Sequence, residues 1–406
     1  MIYNLLISIL LFFLKFVSIF NLRAKTFINT RNNINLKLSN NIKKKDKVLW
    51  FHCSSLGEFE QARPLIDYYF NNFSKYKILI TFFSQSGYDI QKNYKNAHIV
   101  SYLPFDKKNK IKNFLDCFKP KILFLIKYEF WPELINQTKK RKVKIYSISS
   151  VFRKNQIYFK IYGLFFKKVL KKIDHFFLND LSSSNLLKDI GILNTSVVGN
   201  TKFDRALKIL SNNTEIEYVS KFKSNKMCLV LGSVWKKDLE IILKNLNELK
   251  NLKIIIAPHK PDKEHLDYMT KNINSNYSLF SSKKKSFKSK ILIVDNVGSL
   301  NKIYKYADIA YVGGGMGKSG IHNTIEPAVY KIPVIVGKNF LKDNDTKELV
   351  DLKGIVSIQN SNEFIDILTF LIKNKKNRNK MGGINYKYIL SKSGSVEKII
   401  NKINLK

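Results

Sequence analysis

The sequence is poor in cysteine. Its 406 residues contain three, Cys53, Cys117 and Cys228, which lie far apart and fit none of the spacings typical of metal sites. So few thiols exclude a fold held together by disulfide bonds, and they indicate a reducing compartment. We predict no metal site.

Acidic residues are also scarce, with 31 Asp and Glu against 71 Lys and Arg and a formal net charge of +40. Such a chain is attracted to polyanions, whether nucleic acid, anionic lipid or phosphorylated substrate. The alternative is a compositional bias, because much of the lysine is scattered among asparagine and isoleucine. No recognised RNA- or DNA-binding motif is present, so we expect no nucleic-acid partner. A steep salt dependence of RNA binding would favour one.

The amino terminus lacks the marks of a cleaved secretory signal, since it has neither a basic start nor a small-residue cleavage site. The first 20 residues, MIYNLLISILLFFLKFVSIF, carry one charge, Lys15. This length just reaches a bilayer span, so residues 1–22 are predicted to be a membrane anchor, across the bilayer or in its interface. The basic residues that follow favour a cytoplasmic location for the rest of the chain. A helix packed on the protein itself is the alternative.

From residue 48 onward, short apolar runs alternate with helical stretches, which is typical of doubly wound parallel sheets. The first set of predicted strands covers residues 48–54, 77–83, 98–104, 121–127, 142–149, 175–180 and 195–199. A polar stretch over 211–226 interrupts the pattern, which restarts with strands at 227–233, 252–258, 290–295, 309–314 and 332–337. The chain is also longer than one ordinary core. We therefore predict two α/β domains, residues 45–210 and 226–395, the second ending in helix from about residue 376.

Polar residues follow several of these strands, at the edge where α/β proteins keep their ligands. Glu58 lies in the turn HCSSLGEFEQARPLI, and Glu129 lies in KYEFWPELI. Glu129 is either a carboxylate favoured by a helix amino terminus or a second active-site acid. Ser233 closes the first strand of the second domain, and the donors of His259 and Lys260 suit a phosphate.

The glycine run GGGMGKSG at 313–320 resembles a nucleotide loop. It is not a Walker P-loop, because Val312 occupies the place of a required glycine. Glycines at 313, 314 and 315 can still let backbone amides approach a phosphate, or they form a tight strand-to-helix connection.

The residues after the glycine run have two interpretations. Asn323 and Glu326 have the spacing of a capping box, and Glu326 could instead accept hydrogen bonds from ribose hydroxyls. Capping is the simpler interpretation. His322 lies at the mouth of the same turn.

Taken in order, these stretches resemble the bacterial 3-deoxy-D-manno-octulosonic acid (Kdo) transferases of lipopolysaccharide synthesis. The resemblance covers roughly residues 45–360. The matching stretches are SSLGEFEQARPLI, TFFSQSGYDI, YLPFD, YEFWPELI, VVGNTKFDR, LGSVW, APHKPDK, VDNVGSLNKIYKYADIAYVGGG and GIHNTIEPAVYKIPVIVG.

The resemblance implies a GT-B glycosyltransferase with two facing Rossmann-like domains, the second holding the donor. It implies transfer of Kdo from CMP-Kdo to the lipid A precursor at the cytoplasmic face of the inner membrane, with no metal or other cofactor. Glu58 matches the family's proposed general base. The residues that the resemblance associates with the donor are His259, Lys260, His322, Asn323 and Glu326. Ser233 and the glycines at 313–315 are added as donor-binding residues because they lie at strand ends.

Three positions depart from the family pattern. His259-Lys260 stands where an Arg-His pair is common, and Lys127 stands where many members have a second acid. Gly298-Ser299 replaces a frequent Gly-Glu pair. These departures bear on single donor contacts, and a GT-B transferase with a different nucleotide-sugar donor remains the alternative.

Overall fold

The computed structural model describes residues 2–32, 34, 36–43, 45–211, 215–243, 249, 251–282, 286–318 and 320–405. It divides the chain into two compact units. The first unit contains Met1–Arg205 and Ser393–Lys406, and the second contains Ala206–Lys392. The boundary therefore lies inside a helix, and the chain returns to the first unit after completing the second.

The first unit is built on a parallel sheet whose strands are apolar runs. They are β1 (Lys47–Cys53), β2 (Tyr76–Phe82), β3 (Ile99–Tyr102), β4 (Pro120–Ile126), β5 (Lys144–Ser150), β6 (His175–Leu178) and β7 (Thr195–Val197). Their order in the sheet is β3-β2-β1-β4-β5-β6-β7. The order reverses direction between β1 and β4, which makes their carboxyl ends a topological switch point.

Helices follow most of these strands. They are α1 (Ile2–Phe20), α2 (Leu22–Asn32), α3 (Leu56–Asn72), α4 (Gln85–Gln91), α5 (Lys108–Phe118), α6 (Pro132–Lys140), α7 (Leu164–Leu170), α8 (Leu181–Asp189) and α9 (Thr201–Ser211), which contains the boundary between the units. Short 3₁₀ helices cover Leu36–Asn41, Ile157–Phe159 and Ile161–Gly163.

The core of the first unit lies on both faces of its sheet. Trp50 and Phe51 are successive residues of β1 that point to opposite faces, and both are fully buried. Trp50 belongs to a cluster with Phe114 of α5, whereas Phe51 belongs to a cluster with Phe59 of α3. A parallel sheet covered on both faces needs strands that are apolar on both sides, and β1 supplies this.

The second unit repeats this architecture. Its strands are β8 (Met227–Val234), β9 (Leu252–Pro258), β10 (Tyr277–Leu279), β11 (Ile291–Ile293), β12 (Ile309–Val312), β13 (Val334–Gly337) and β14 (Ile355–Ile358), in the parallel order β10-β11-β9-β8-β12-β13-β14. Its helices are α10 (Glu217–Lys223), α11 (Lys236–Ile242), α12 (Lys263–Asn272), α13 (Leu300–Ile303), α14 (Ile325–Ala328), α15 (Asn344–Asp351), α16 (Ser361–Lys373) and α17 (Lys375–Lys392), with a 3₁₀ turn at Tyr304–Tyr306. The switch point here lies between β8 and β12.

A last helix, α18 (Ser395–Ile403), completes the first unit. Its Ile399 is fully buried in the same cluster as Phe51. The turn before it is fixed where Gly394 N donates to Asp204 Oδ1 at 2.9 Å.

Helix α1 is apolar and none of its residues is buried. It is long and apolar enough to cross a membrane. Near its amino end, Tyr3 OH donates to Asp106 Oδ2 at 2.7 Å and Asn4 Nδ2 donates to Glu133 Oε1 at 2.7 Å. The start of the helix is therefore held on the first unit by polar contacts, and most of its apolar side chains are exposed.

Most of the predicted architecture is confirmed. Every strand predicted from the sequence overlaps an observed strand, and the carboxyl-terminal stretch is helical. The sequence analysis missed β10 and β14, which have three and four residues and lie at the two edges of the sheet. Residues 157–173 do not form one continuous helix. Two 3₁₀ turns precede α7, because the chain folds so tightly that a Cβ on Gly163 would lie 1.7 Å from Ile157 O.

Neighbouring glycines in α17 provide a test of the packing in the second unit. A Cβ on Gly382 would lie 1.9 Å from Lys331 O, whereas nothing lies within 4 Å of one on Gly383. We expect Gly382→Ala to destabilise the protein by about 1–3 kcal/mol through overpacking. The control, Gly383→Ala, should stabilise it by about 0.5–1 kcal/mol, since glycine weakens a helix interior. Thermal unfolding of the two variants checks this, and equal melting temperatures would contradict it.

Candidate active site

Glu58 lies in the first turn of α3, directly after the central strand β1. Ser55 caps this helix, since its side chain accepts a hydrogen bond from Glu58 N. The Glu58 carboxylate reaches back and accepts from Ser54 N. Helix capping thus fixes the position of the side chain at the switch point of the sheet.

Two effects raise the pKa of Glu58 to about 7. Burial is the larger effect, because an ionised carboxylate is poorly hydrated at a buried position. The negative charge of Glu129 is the second. They outweigh the Ser54 N–H and the charges of His52 and Lys127, which favour the ionised form. A carboxylate with a pKa near neutral suits proton abstraction at physiological pH.

Glu129 lies between β4 and α6, and its pKa is shifted in the opposite direction from that of Glu58. Burial would raise its pKa, but hydrogen bonds from neighbouring groups outweigh this and lower it. Trp131 Nε1 donates to Glu129 Oε2 at 2.7 Å, and His52 Nε2 lies 3.4 Å from the same oxygen. Two carboxylates whose pKa values are pushed apart are typical of sites that need one proton acceptor and one permanent anion.

His52 is a site residue that the sequence analysis missed. It is fully buried in β1, and its Nδ1 lies 2.9 Å from Thr81 Oγ1 on β2. The ring therefore links two neighbouring strands to Glu129. Its place inside an apolar strand gave no sign of this contact, because the partner carboxylate follows a different strand.

In the second unit, Ser233 adopts left-handed backbone geometry, with φ of +54°. The pairing of β8 with β9 shifts register at this point, between Gly232 and Val234. Such bulges re-aim a strand end, and non-glycine residues at positive φ are uncommon. Ser233 therefore sits in a specially shaped strand end.

Close backbone packing explains the glycine run. A Cβ on Gly313 would lie 2.5 Å from Ser233 O, and one on Gly315 would lie 2.8 Å from the backbone of Gly337. Gly314 has φ of +94°, which side chains rarely adopt. The amides of Gly313 and Gly314 already donate to Gly232 O and to Asp238, at 2.9 and 2.8 Å. The tight-connection interpretation of the run thus has direct structural support.

Asp238 organises this loop, and it too was missed. Its carboxylate is fully buried in α11. Four groups donate to it: Trp235 N at 2.9 Å, Gly314 N at 2.8 Å, Met316 N at 3.3 Å and Tyr311 OH at 2.8 Å. The bond from Trp235 N is one half of a capping box, but tryptophan is not a capping residue, so the pattern gave no usable signal.

Three rings stack beside the glycine loop. The rings of Trp235 and His322 lie side by side with their centroids 6.2 Å apart, and the His259 ring stacks across both, 4.3 Å from each centroid. Trp235 Nε1 donates to His322 Nε2 at 2.9 Å. Burial, followed by the charges of His322, Lys260 and His265, lowers the pKa of His259 to about 4, and burial also lowers that of His322.

The remaining predicted residues lie near the same strand ends. Lys260 is exposed directly after His259. Asn323 Oδ1 accepts from Ile325 N at 3.1 Å, and its Nδ2 donates to Glu326 Oε1 at 3.1 Å. These bonds form a local turn before α14, whose N-cap is Thr324, and neither of them is the side chain-to-backbone bond of a capping box. Among the residues described, no three His, Cys, Asp or Glu form a group that could hold a metal ion. Metal independence stays a prediction.

Solved structures share this fold. The chain is similar to UDP-GlcNAc 2-epimerase from Neisseria meningitidis bound to UDP-GlcNAc, with a TM-score of 0.61 and 14% identity over 88% of this chain and 99% of that one. It is also similar to UDP-GlcNAc 2-epimerase from Methanocaldococcus jannaschii, with a TM-score of 0.56 and 19% identity over 88% and 99%. At these identities the likeness concerns the fold alone, which is of the GT-B type.

Sequence relatives carry the assignment further. The chain is 32% identical to a bifunctional glycosyltransferase/methyltransferase of Fusobacterium nucleatum over 368 residues, which cover 87% of this chain but 56% of that protein. The chain thus spans just over half the length of this relative. It is 29% identical to the 3-deoxy-D-manno-octulosonic acid transferase of Aquifex aeolicus over 336 residues, 81% of this chain and 87% of that protein.

The sequence relatives indicate a glycosyltransferase. Residues 30–205 match the family model described as 3-deoxy-D-manno-octulosonic-acid transferase (kdotransferase). The chain is similar to Kdo transferases over most of its length, and the resemblance predicted from its motifs is confirmed.

The buried carboxylate of Asp238 generates a prediction. In Asp238→Asn, an amide N–H replaces one acceptor oxygen and faces a loop N–H, so a buried donor loses its partner. We expect a loss of about 1–3 kcal/mol in the free energy of unfolding and faster hydrogen exchange at the amides of Gly314 and Met316. Asp267→Asn, at an exposed position of α12, is the control. Unchanged exchange in the loop would show that Asp238 does not hold it.

Proposed function

We propose that this chain transfers Kdo from CMP-Kdo to the lipid A precursor, inverting the anomeric centre, with Glu58 as the general base. The observation that carries this is the half-buried Glu58 carboxylate at the switch point of the first sheet, with its pKa raised to about 7. The family assignment supports the donor and the reaction class.

In this mechanism the Glu58 carboxylate removes the proton from an acceptor hydroxyl. The hydroxyl oxygen forms a bond to the anomeric carbon of Kdo as the bond from that carbon to the phosphate oxygen breaks, and CMP leaves. Base catalysis of this kind contributes on the order of 10²–10⁴-fold. Glu129 stays ionised throughout and keeps Glu58 ready to accept a proton.

The second unit supplies the donor-binding residues in this proposal. Lys260 and Ser233 meet the charge that develops on the leaving phosphate, together with His259 and His322. Asn323 and Glu326 hold the loop that carries His322, and Glu326 also remains a candidate for contact with ribose. Gly313, Gly314 and Gly315 allow the loop to pack close to the end of β8.

The acceptor is a lipid, which fits the uncovered apolar surface of α1. We propose that α1 associates with the inner membrane and that the catalytic units lie on its cytoplasmic face. The surplus positive charge of the chain favours an acceptor that carries phosphates.

A transfer assay tests the function directly. Purified protein is incubated with lipid A precursor and CMP-Kdo generated in situ, and the products are weighed by mass spectrometry. A product heavier by one or more Kdo residues is expected. If none forms, thermal protection by CMP is compared with that by UDP and ADP, and selective protection by UDP or ADP would replace the donor assignment.

Replacement of the base should separate binding from chemistry. We expect Glu58→Gln to lower kcat at least 100-fold and to leave CMP-Kdo binding intact, because the amide keeps the shape of the side chain but cannot accept the proton. Glu60→Gln is the matched control on the same helix, since Glu60 pairs with Arg63 and Arg205. Near-normal turnover of Glu58→Gln would exclude this residue as the base.

The charge of Glu129 should control the pH dependence. Glu58 is a base only when ionised, so kcat/KM is expected to fall as the pH drops below about 7. Glu129→Gln removes a charge that raises the pKa of Glu58, so this fall should move to lower pH. Glu133→Gln, on α6, is the control. A pH profile of Glu129→Gln that coincides with the wild-type profile would contradict the coupling.

A further inference from the structure

Trp235 is fixed in the second unit by the same carboxylate that holds the glycine loop. It follows β8 directly, and its backbone N donates to Asp238 Oδ2 at 2.9 Å. Gly314 N donates to the same oxygen at 2.8 Å. The indole and the loop that leads to His322 therefore share one buried anchor.

The contact between Trp235 and His322 determines where the imidazole carries its proton. An indole N–H can donate a hydrogen bond and cannot accept one. Because Trp235 Nε1 lies 2.9 Å from His322 Nε2, that ring nitrogen must offer a lone pair. A neutral imidazole then has its proton on Nδ1, and a protonated imidazole would place two N–H groups against each other.

The stacked His259 ring holds this arrangement in one plane. The rings of His259 and His322 are inclined by 26°, and those of His259 and Trp235 by 21°. Burial lowers the pKa of both imidazoles, in agreement with neutral rings. The described residues give His322 Nδ1 no hydrogen-bond partner, so its proton is available to a ligand.

We propose that Trp235 is a positioning residue of the donor site, which holds His322 as the neutral Nδ1–H tautomer so that Nδ1 donates to an anionic oxygen of the nucleotide sugar. The other tautomer would present a lone pair to that oxygen and repel it. This inference rests on the proposed function for the identity of the ligand. The tautomer itself does not depend on the ligand.

The first test reads the tautomer without any nucleotide. Proton–nitrogen correlation spectra are recorded on the full chain with its six histidines isotope-labelled. The signal that is missing in His322→Ala is that of His322. The Nδ1–H pattern is expected for His322 in the wild type and its loss is expected in Trp235→Phe. An Nε2–H pattern in the wild type would overturn the proposal, whether or not the donor assignment holds.

The second test asks whether Trp235 acts through His322. Affinity for CMP is measured by calorimetry for the wild type, Trp235→Phe, His322→Ala and the double variant. Phenylalanine keeps an aromatic ring against His259 and removes only the donor, so we expect roughly 10-fold weaker binding, a typical effect for one hydrogen bond. In the His322→Ala background the same change should have no further effect. Additive effects of the two changes would overturn the proposal.

Trp235→Gln separates the hydrogen bond from the stacking. It restores an N–H donor without a ring, and partial recovery of CMP affinity relative to Trp235→Phe is expected. If the wild type binds another nucleotide and not CMP, the donor assignment fails, and the same cycle is run with that nucleotide. If Trp235→Phe retains CMP affinity and Trp235→Gln does not, Trp235 has a packing role.

Discussion

Burial of both faces of a parallel sheet is the constraint on which this structure depends. Strands such as β1 can carry almost no exposed polar group along their length, so reactive side chains are restricted to the turns where strands end. Glu58, Glu129, Ser233 and His259 all lie at or just after the carboxyl ends of central strands of their sheets. The fold thus concentrates chemistry at one edge of each sheet.

Two carboxylates at that edge, Asp238 and Glu58, have different surroundings. Asp238 accepts four hydrogen bonds, which hold a loop. Glu58 accepts one from Ser54 and faces a second anion, so its charge is only partly compensated and a proton is readily accepted. Burial and the charge of Glu129, which this single donor does not offset, suit Glu58 to act as a base.

The sequence predicted the strands and the residues at their ends well, because apolar runs and turns are local signals. It did not reveal His52, Asp238 or the role of Trp235, since their partners are distant in the chain. Asp238 and Gly314 are 76 positions apart, and Trp235 and His322 are 87 positions apart. The edge strand β10 was missed because three residues give too short a pattern. The glycine run was interpreted in part as a phosphate-binding loop, although close packing of neighbouring backbone segments is enough to require glycine there.

The return of α18 to the first unit has a consequence for biosynthesis. Domains generally fold in the order in which they leave the ribosome. Here the residues that surround Phe51 are nearly all synthesised early, but Ile399 arrives only after the entire second unit. The apolar surface beside α3 that Ile399 covers therefore stays exposed while the second unit is synthesised. Burial of this surface by α18 waits for synthesis of the second unit, and a chain that stops before Ile399 leaves the surface uncovered.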